Sequence, residues 1–364
     1  MNVSCPEGFA SQHPATEFAV KAANRSGWSS LTHIRPAPEV ETVWSRDVEV
    51  NGGTATEFVK RCVGPSYLEP KHGYVVHENG VLLDESIQPS LHLPKPLWRS
   101  GGTPSVVAFL RAKRRDAARV AHHASVISLR HLWEWNYYHF FLDVLGKLSL
   151  FDGVGLDPQT PLVLGRYADQ VPFVRQVLAR GELARRNWII QDNVHVRSSE
   201  IYYCRSFEGY RTKMDHLLDQ MDVPVGRHDD STDRVFLTRP LGARTVLNMD
   251  EIEPLLKEYD FEIVDTSKMT VDDQIATFMR TRHLLAVHGA GMTNIIFRRG
   301  APMSVLEIHP EVHCSPDFMN ICHEYGYEHA RLACRPGGSP DWRHASLCID
   351  PVELRTHIEG MLTT

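Results

Sequence analysis

The chain has 364 residues, of which 42% are hydrophobic and 23% are charged. These values are ordinary for a globular protein, and the length gives room for two domains. The formal net charge of −6 argues against broad electrostatic binding to nucleic acid or to an anionic membrane surface. No stretch reaches the roughly 18 uninterrupted apolar residues of a membrane-spanning helix, and no secretory signal is read at the start.

The seven cysteines are scattered and form no CxxC pair, which favours reduced thiols over a disulfide framework or a zinc site. Together with the absence of a recognisable signal, this predicts a cytoplasmic protein. Peripheral attachment to the inner face of the membrane stays open.

Residues 1–100 combine an irregular start with β-prone runs. Glu41–Val50 is one run and Gly73–Asp84 is another, and the second contains an Asn79-Gly80 step that is typical of a tight hairpin turn. We predict a small N-terminal β layer.

Beyond it, short apolar strands alternate with helices in two series, separated by a polar linker at 222–233. This pattern predicts an α/β fold with parallel sheets, made of two Rossmann-like domains at 101–225 and 226–364. A cleft between them would bind ligands beyond the carboxyl ends of the strands. The predicted strands are Val126–Arg130, Pro161–Leu164, Trp188–Gln191, Glu200–Cys204, Arg234–Thr238, Phe261–Val264, Leu284–Val287 and Ser304–Ile308, and helices are predicted at 137–151 and 170–180.

The most informative C-terminal segment is an apolar strand that ends at His288 and runs into a glycine-containing turn and an apolar helix. Gly289 and Gly291 lack a Cβ where a ligand could approach the backbone. Free N–H groups and the helix dipole at such a turn favour a diphosphate. Taken alone, the segment also fits an ordinary βα turn.

Further candidates lie on both sides of this turn in the sequence. Arg239 and Arg244 follow a strand and could contact phosphate oxygens, although Arg244 also fits a solvated surface charge. Asn248 is predicted to cap a helix, with Glu251 reaching back. Glu307 lies in a β-prone run and could accept both hydroxyls of a ribose, or it could be a charge at a strand edge.

In order, these motifs resemble glycosyltransferase family 61. They are Thr238-Arg239, Asn248, Asp273-Gln274-Ile275, His288-Gly289-Ala290-Gly291-Met292-Thr293-Asn294 and Leu306-Glu307-Ile308. Asp273, Met292 and Leu306 are mild departures from the family pattern. The clear resemblance covers 234–310.

The resemblance implies a GT-B fold with the two domains facing across a cleft. It also implies an inverting mechanism, no metal or other cofactor, and a nucleotide-diphosphate sugar donor, usually with uridine. Characterised relatives transfer N-acetylglucosamine or xylose to proteins or plant xylans. Bacterial relatives are usually described as capsular polysaccharide biosynthesis proteins, the type that this chain resembles. The residues expected to bind the nucleotide sugar are Asn136, Arg239, Arg244, His288, Gly289, Ala290, Gly291, Thr293, Asn294 and Glu307.

The N-terminal domain carries a mostly apolar helix with one narrow polar stripe, which predicts burial with the stripe facing the cleft. The stripe includes His139 and Asp143, which are i,i+4 neighbours. A carboxylate beside an imidazole orients it for general-base catalysis, although a core histidine paired with an aspartate fits equally well. The sequence leaves open which of the two is the base. The resemblance agrees, because the family has an N-x-x-H helix followed by aspartate here.

These observations predict an inverting, metal-independent hexosyl- or pentosyltransferase. It would move a sugar from a nucleotide donor, most often a UDP-sugar, to a hydroxyl of a glycan or lipid-linked glycan in surface polysaccharide synthesis. A noncatalytic nucleotide-binding scaffold and a sugar epimerase are the alternatives. The acidic pairs Asp229-Asp230 and Asp272-Asp273 lie in the linker and at a helix start, so neither suits a metal-binding DxD.

Overall fold

A computed structural model describes residues 39–50, 53–78, 82–86, 121–206, 209–225, 233–239, 244–311, 315–337 and 345–363. The chain divides into two compact units. Unit 1 comprises residues 1–175 and Glu182–Glu208, and unit 2 comprises Gln176–Gly181 and Gly209–Thr364. Unit 2 therefore includes the helix Tyr210–Gln220, which the sequence assigned to the first domain.

Unit 1 is built on an eight-stranded mixed sheet. Its strands are β1 (Glu39–Val50), β2 (Gly53–Leu68), β3 (Val75–His77), β4 (Leu82–Leu83), β5 (His122–Ser128), β6 (Leu162–Gly165), β7 (Trp188–Gln191) and β8 (Val196–Arg205). They run in the order β4-β3-β2-β8-β5-β6-β7, with β1 paired to β2. β8, β5, β6 and β7 are parallel, whereas β2 is antiparallel to β8.

The expectation of parallel sheets is thus corrected for this unit. The N-terminal strands extend the parallel sheet at β8, whose edge would otherwise expose unpaired backbone groups. β3 and β4 form an antiparallel pair with Val76 opposite Leu82. The predicted turn at Asn79-Gly80 lies outside the described residues.

The helix predicted at 137–151 is present, but its hydrogen bonding changes along its length. It consists of an α-helical turn (Tyr137–His139), a π-helical turn (Phe140–Val144), a 3₁₀ turn (Leu145–Lys147) and a final α-helix (Leu148–Gly153). We call it the segmented helix. π-Turns of this kind are frequent at functional sites. Two short α-helices follow β6, at Tyr167–Gln170 and Pro172–Leu178. The second lies within the helix predicted at 170–180.

Unit 2 has a six-stranded sheet of doubly wound type. Its strands are β9 (Asp233–Leu237), β10 (Glu262–Val264), β11 (Thr281–Val287), β12 (Ser304–Pro310), β13 (Glu328–Gly337) and β14 (Ser346–Cys348). They run in the order β10-β9-β11-β12-β13-β14, and β14 alone is antiparallel to its neighbour. The chain winds from β9 to β10 on one side and from β11 onward on the other. The carboxyl ends of β9 and β11 therefore flank the switch point at which such sheets bind ligands.

Helices connect and cover these strands. They are Tyr210–Gln220, Met249–Glu258, Val271–Arg280, Asp317–Tyr325 and Pro351–Leu362, with 3₁₀ segments at Thr266–Lys268 and Ala290–Arg298. The predicted capping box of Thr270 and Asp273 is present. Asn248 precedes its helix but makes no side-chain cap. Its amide pairs instead with the backbone N–H and C=O of Ile349 and donates to Glu251.

Each unit has its own apolar core. In unit 1 it is centred on β2, β5 and β8 and includes Val126, Ile201 and Tyr203. In unit 2 it joins β9, β11 and β12 to the covering helices and includes Phe236 and Leu306. β12 is buried along its whole length, as expected for an inner strand of a covered parallel sheet. Within the described ranges, no helix is long and apolar enough to cross a bilayer.

Candidate functional site

The first candidate site lies at the carboxyl ends of β9 and β11, where Arg239 and Gly289 meet. The Arg239 Nη1 atom donates a hydrogen bond of 2.9 Å to the carbonyl oxygen of His288. The same guanidinium occupies the space that a Cβ on residue 289 would need. A side chain at residue 289 would displace this arginine, so glycine here allows a half-buried cation to lie against the strand end.

A second cation lies close to the first. Arg244 has a positive φ of 57°, which is uncommon for a residue with a side chain. Burial, together with the nearby charge of Arg239, lowers the pKa of Arg244 to about 10. Burial also lowers the pKa of Arg239. An anion bound here would stabilise the charged form of both guanidinium groups.

His288, at the same strand end, belongs to a buried network centred on Glu307 in β12. Glu307 Oε1 accepts from His288 Nδ1 at 2.5 Å, and Oε2 accepts from His329 Nε2 at 2.9 Å and from Arg331 Nε at 3.3 Å. Burial alone would raise the pKa of Glu307, but the hydrogen bonds from the two histidines and the Arg331 charge outweigh it and hold the pKa well below its usual range. Both oxygens thus already have protein partners, so the ribose-binding role stays a prediction.

The helix that follows the turn is a nine-residue 3₁₀ helix, Ala290–Arg298. The first N–H groups of such a helix, here those of Ala290 and Gly291, have no acceptor within the helix. A Cβ on Gly291 would lie 3.1 Å from Thr266 Oγ1. This turn therefore packs closely against the end of β10 and leaves its N-terminal amides at the switch point.

Thr293 and Asn294 have a different environment from the one that the sequence predicted. Both side chains are fully buried. Asn294 Nδ2 donates to Gln274 Oε1 at 2.8 Å, and Gln274 Nε2 donates to the carbonyl of Thr266 at 3.4 Å. In this structure the Asn294–Gln274 pair links the helix Val271–Arg280 to the turn, and the contact of Thr293 and Asn294 with the nucleotide sugar stays a prediction.

The second candidate site lies in unit 1, beyond the carboxyl end of β5. Asn136 caps the segmented helix, because its Oδ1 accepts from the backbone N–H groups of Tyr138 at 3.0 Å and His139 at 3.4 Å. Its predicted contact with the nucleotide sugar stays a prediction, and its observed role is to fix where the helix begins. This places His139 in the first turn and Asp143 in the π-helical turn.

His139 and Asp143 form the i,i+4 pair that the sequence predicted. His139 Nδ1 lies 2.6 Å from Asp143 Oδ2, so this nitrogen carries the proton that is donated to the carboxylate. Burial alone would raise the pKa of Asp143, but the hydrogen bond from His139 outweighs it and the pKa is lowered. Within the described residues, no hydrogen bond involves His139 Nε2, which keeps its lone pair available for a proton.

The structure adds two residues that the sequence did not single out for this site. His131 is buried just after β5, and its Nε2 lies 3.9 Å from Asp143 Oδ2. Lys147 is also buried and donates to the carbonyl of Arg130 at 2.9 Å. His131 follows the parallel strand β5 by three residues and His288 follows β11 by one, and a position after a strand end is the signal that could have identified His131.

His131, His139 and Asp143 could together offer ligand atoms that lie within 4.8 Å of one another. Their contacts fit a proton relay better than a metal site. Metal–nitrogen and metal–oxygen bonds of about 2.1 Å would require the 2.6 Å His139–Asp143 hydrogen bond to open and its proton to leave. Of the acidic pairs considered above, Asp272 pairs with Arg180 and Asp273 caps its helix, whereas Asp229-Asp230 lies outside the described residues.

Comparison with known proteins gives one family match. A search of curated proteins finds no match. The family model described as Glycosyltransferase 61 matches residues 137–306, from the start of the segmented helix to the middle of β12. The match covers a little under half of the chain and contains His139 and Asp143 of the first unit and Arg239 to Asn294 of the second. Over these residues the chain is similar to glycosyltransferase family 61.

Proposed function

We propose that the protein is an inverting glycosyltransferase of GT-B type that uses a nucleotide-diphosphate sugar, most often a UDP-sugar, without a divalent metal. Unit 2 binds the donor and unit 1 supplies the base. The acceptor is a hydroxyl of a glycan or lipid-linked glycan. The match to family 61 supports the transfer of a sugar, and the two sites described above support the division of roles.

The observation that carries the donor site is the contact of Arg239 with the His288–Gly289 backbone at the switch point. Among the described residues, the arginine presents a half-buried positive charge whose hydrogen-bond partner is a carbonyl oxygen, not a carboxylate. Arg244 adds a second cation, and the N–H groups of Ala290 and Gly291 add directed donors. This combination suits the two negative phosphates of a nucleoside diphosphate and the charge that develops when it leaves.

The reaction needs a proton acceptor as well as a donor site. The acceptor hydroxyl attacks the anomeric carbon from the side opposite the diphosphate and loses its proton to His139 Nε2. The new carbon–oxygen bond forms as the bond to the diphosphate breaks, and the electron pair of that bond leaves with the nucleotide. His139 becomes an imidazolium that Asp143 stabilises through the Nδ1 hydrogen bond, and the proton later passes to solvent.

The place of this reaction in surface polysaccharide synthesis is part of the proposal, as is a cytoplasmic location. Cys62, Cys204, Cys322 and Cys334 are buried free thiols, which supports folding in a reducing compartment. The alternative function, a noncatalytic nucleotide-binding scaffold, would keep the unit 2 site but would have no use for the His139–Asp143 pair.

Nucleotide binding by the wild-type protein and two arginine variants tests the proposed donor site. We expect UDP, compared with GDP and CMP, to raise the melting temperature of the wild-type protein. Replacing Arg239 with alanine should weaken nucleotide binding by on the order of 2 kcal/mol, about 30-fold in Kd. Arg355→Ala is the matched control, because Arg355 pairs with Glu258 on the surface of the same unit. Equal affinity of the Arg239→Ala and wild-type proteins would remove the donor site from this position.

A further inference from the structure

His131 has a defined protonation state in this structure. The backbone N–H of Trp133 donates to His131 Nδ1 at 3.2 Å, so that nitrogen must carry a lone pair. Burial lowers the pKa of His131 to about 3, although the Asp143 charge opposes the shift. The ring is therefore neutral near pH 7, and its one proton is on Nε2. With so low a pKa, His131 does not take the proton of the acceptor hydroxyl. It therefore does not compete with His139 as the base.

His131 Nε2 lies near the carboxylate oxygen that His139 contacts. The distance from Nε2 to Asp143 Oδ2 is 3.9 Å, and the same oxygen lies 2.6 Å from His139 Nδ1. At 3.9 Å the N–H group acts on the carboxylate as a dipole, and a closure of under about 1 Å would make it a hydrogen bond. The two imidazole rings lie with their centroids 5.3 Å apart and their planes tilted by 31°.

Other groups around His139 have fixed places. The Trp133 ring lies 4.8 Å from the His139 ring, and the Tyr138 ring lies 5.2 Å from it, edge to face. Lys147, held by backbone carbonyls, adds positive charge that lowers the pKa of Asp143. His131 is thus a second buried imidazole beside the Asp143 oxygen that His139 contacts.

We infer that His131 is a positioning residue that, through Asp143, fixes the orientation and the proton affinity of His139. The inference rests on the proposed function, in which His139 is the base. The three residues form a His131–Asp143–His139 relay in which one proton moves: His139 Nε2 gains the acceptor's proton, while Asp143 stays ionised and His131 keeps its own.

Kinetics of three variants test this role. We expect His131→Ala to lower kcat on the order of tenfold with little change in the donor KM, because His139 loses its fixed orientation. Removal of the N–H dipole leaves the Asp143 charge less compensated, so the acidic limb of the kcat/KM profile should move to higher pH. His131→Gln keeps a donor near the Nε2 position and should recover most of kcat. In an Asp143→Asn background, His131→Ala should cost little more.

A merely structural role would give a different pattern. The inference would be overturned if His131→Ala and His131→Gln lost kcat equally and the pH profile did not move. It would also be overturned if His131→Ala kept the wild-type kcat and pH profile. Nitrogen NMR of the histidine-labelled wild-type protein needs no turnover and no variant. We expect the His131 proton on Nε2, and a proton on Nδ1 or a charged ring at pH 7 would contradict the relay. Normal turnover of His139→Ala would instead refute the proposed function, which the NMR result does not depend on.

Discussion

The guanidinium of Arg239 lies where the side chain of residue 289 would be, and Gly289 is what makes that contact possible. One residue follows β9 and the other follows β11, so the contact joins the two strand ends that flank the switch point of unit 2. Arg239 also donates to the carbonyl of His288, which fixes its charge against the turn. Gly289 thus leaves space for the Arg239 guanidinium as well as for a ligand at the backbone.

Gly289→Ala should therefore weaken nucleotide binding although it adds a single methyl group. The new Cβ must displace the Arg239 guanidinium, and we expect a loss on the order of 2 kcal/mol, about 30-fold in the Kd for UDP, similar to Arg239→Ala. Isothermal titration calorimetry measures this directly.

The matched control for this change is Gly360→Ala in the helix Pro351–Leu362, where an added Cβ meets nothing within 4 Å. That variant should bind UDP normally and should be more stable by roughly 0.5–1 kcal/mol, as alanine is favoured within helices. A Gly289→Ala protein that binds UDP as tightly as Gly360→Ala would show that the Arg239 position does not matter for the nucleotide.

Replacing His139 with alanine should reduce turnover by about 100-fold or more, since the proton acceptor is lost, while UDP affinity changes little. Asp143→Asn keeps the shape of the carboxylate but removes its charge, so it should also reduce turnover strongly. His122→Ala is the control, an exposed histidine in β5 of the same unit. Steady-state rates together with UDP titrations separate chemistry from binding. Near-normal turnover in His139→Ala would assign the base elsewhere.

Turnover should persist in EDTA and should not rise when manganese, magnesium or zinc is added. Arg239, Arg244 and the amides of the turn would neutralise the diphosphate, and the His139–Asp143 hydrogen bond occupies the atoms that a metal would need. Activity and metal content are measured on the same dialysed sample. A loss of activity in EDTA that one metal restores, together with one bound equivalent of that metal, would contradict this prediction. The first candidate for the metal site would then be the group of His131, His139 and Asp143.

Much of the α/β pattern could be predicted from the sequence because short apolar strands have few other interpretations. β7 has the predicted limits, and β11 and β12 differ from prediction only at their ends. The pairing of β2 with β8 could not be predicted, since strand order depends on which edge is left uncovered and not on local residues. The sequence also identified β-prone residues in the N-terminal region without indicating that they extend the same sheet.

The candidate sites show the same limit. The spacing of His139 and Asp143 in a helix implies their contact, and the structure has it. Nothing local indicates that Asn294 faces Gln274 or that Glu307 receives two histidines from other strand ends. Those contacts depend on tertiary structure, which brings residues together that lie about 20 apart in sequence or that have several possible partners.

The pKa of Glu307 gives a pH prediction that is independent of activity. In the folded protein the pKa of Glu307 is held well below the usual ~4.3, because His288, His329 and Arg331 stabilise the ionised form. A carboxyl group with a lowered folded pKa contributes stability above its unfolded pKa. That contribution is lost as the pH falls through the folded pKa.

Glu307→Gln should therefore be less stable than the wild-type protein at pH 7, by on the order of 3 kcal/mol, because it leaves the Arg331 charge and the two histidine N–H donors without their carboxylate. The difference should hold from pH 7 to about pH 5 and then shrink below pH ~4, where the unfolded glutamate becomes protonated. Urea unfolding at a series of pH values measures it, with Glu262→Gln as the control at an exposed position of the same sheet. A stability difference that is the same at pH 7 and pH 3 would mean that Glu307 acts through packing rather than through its charge.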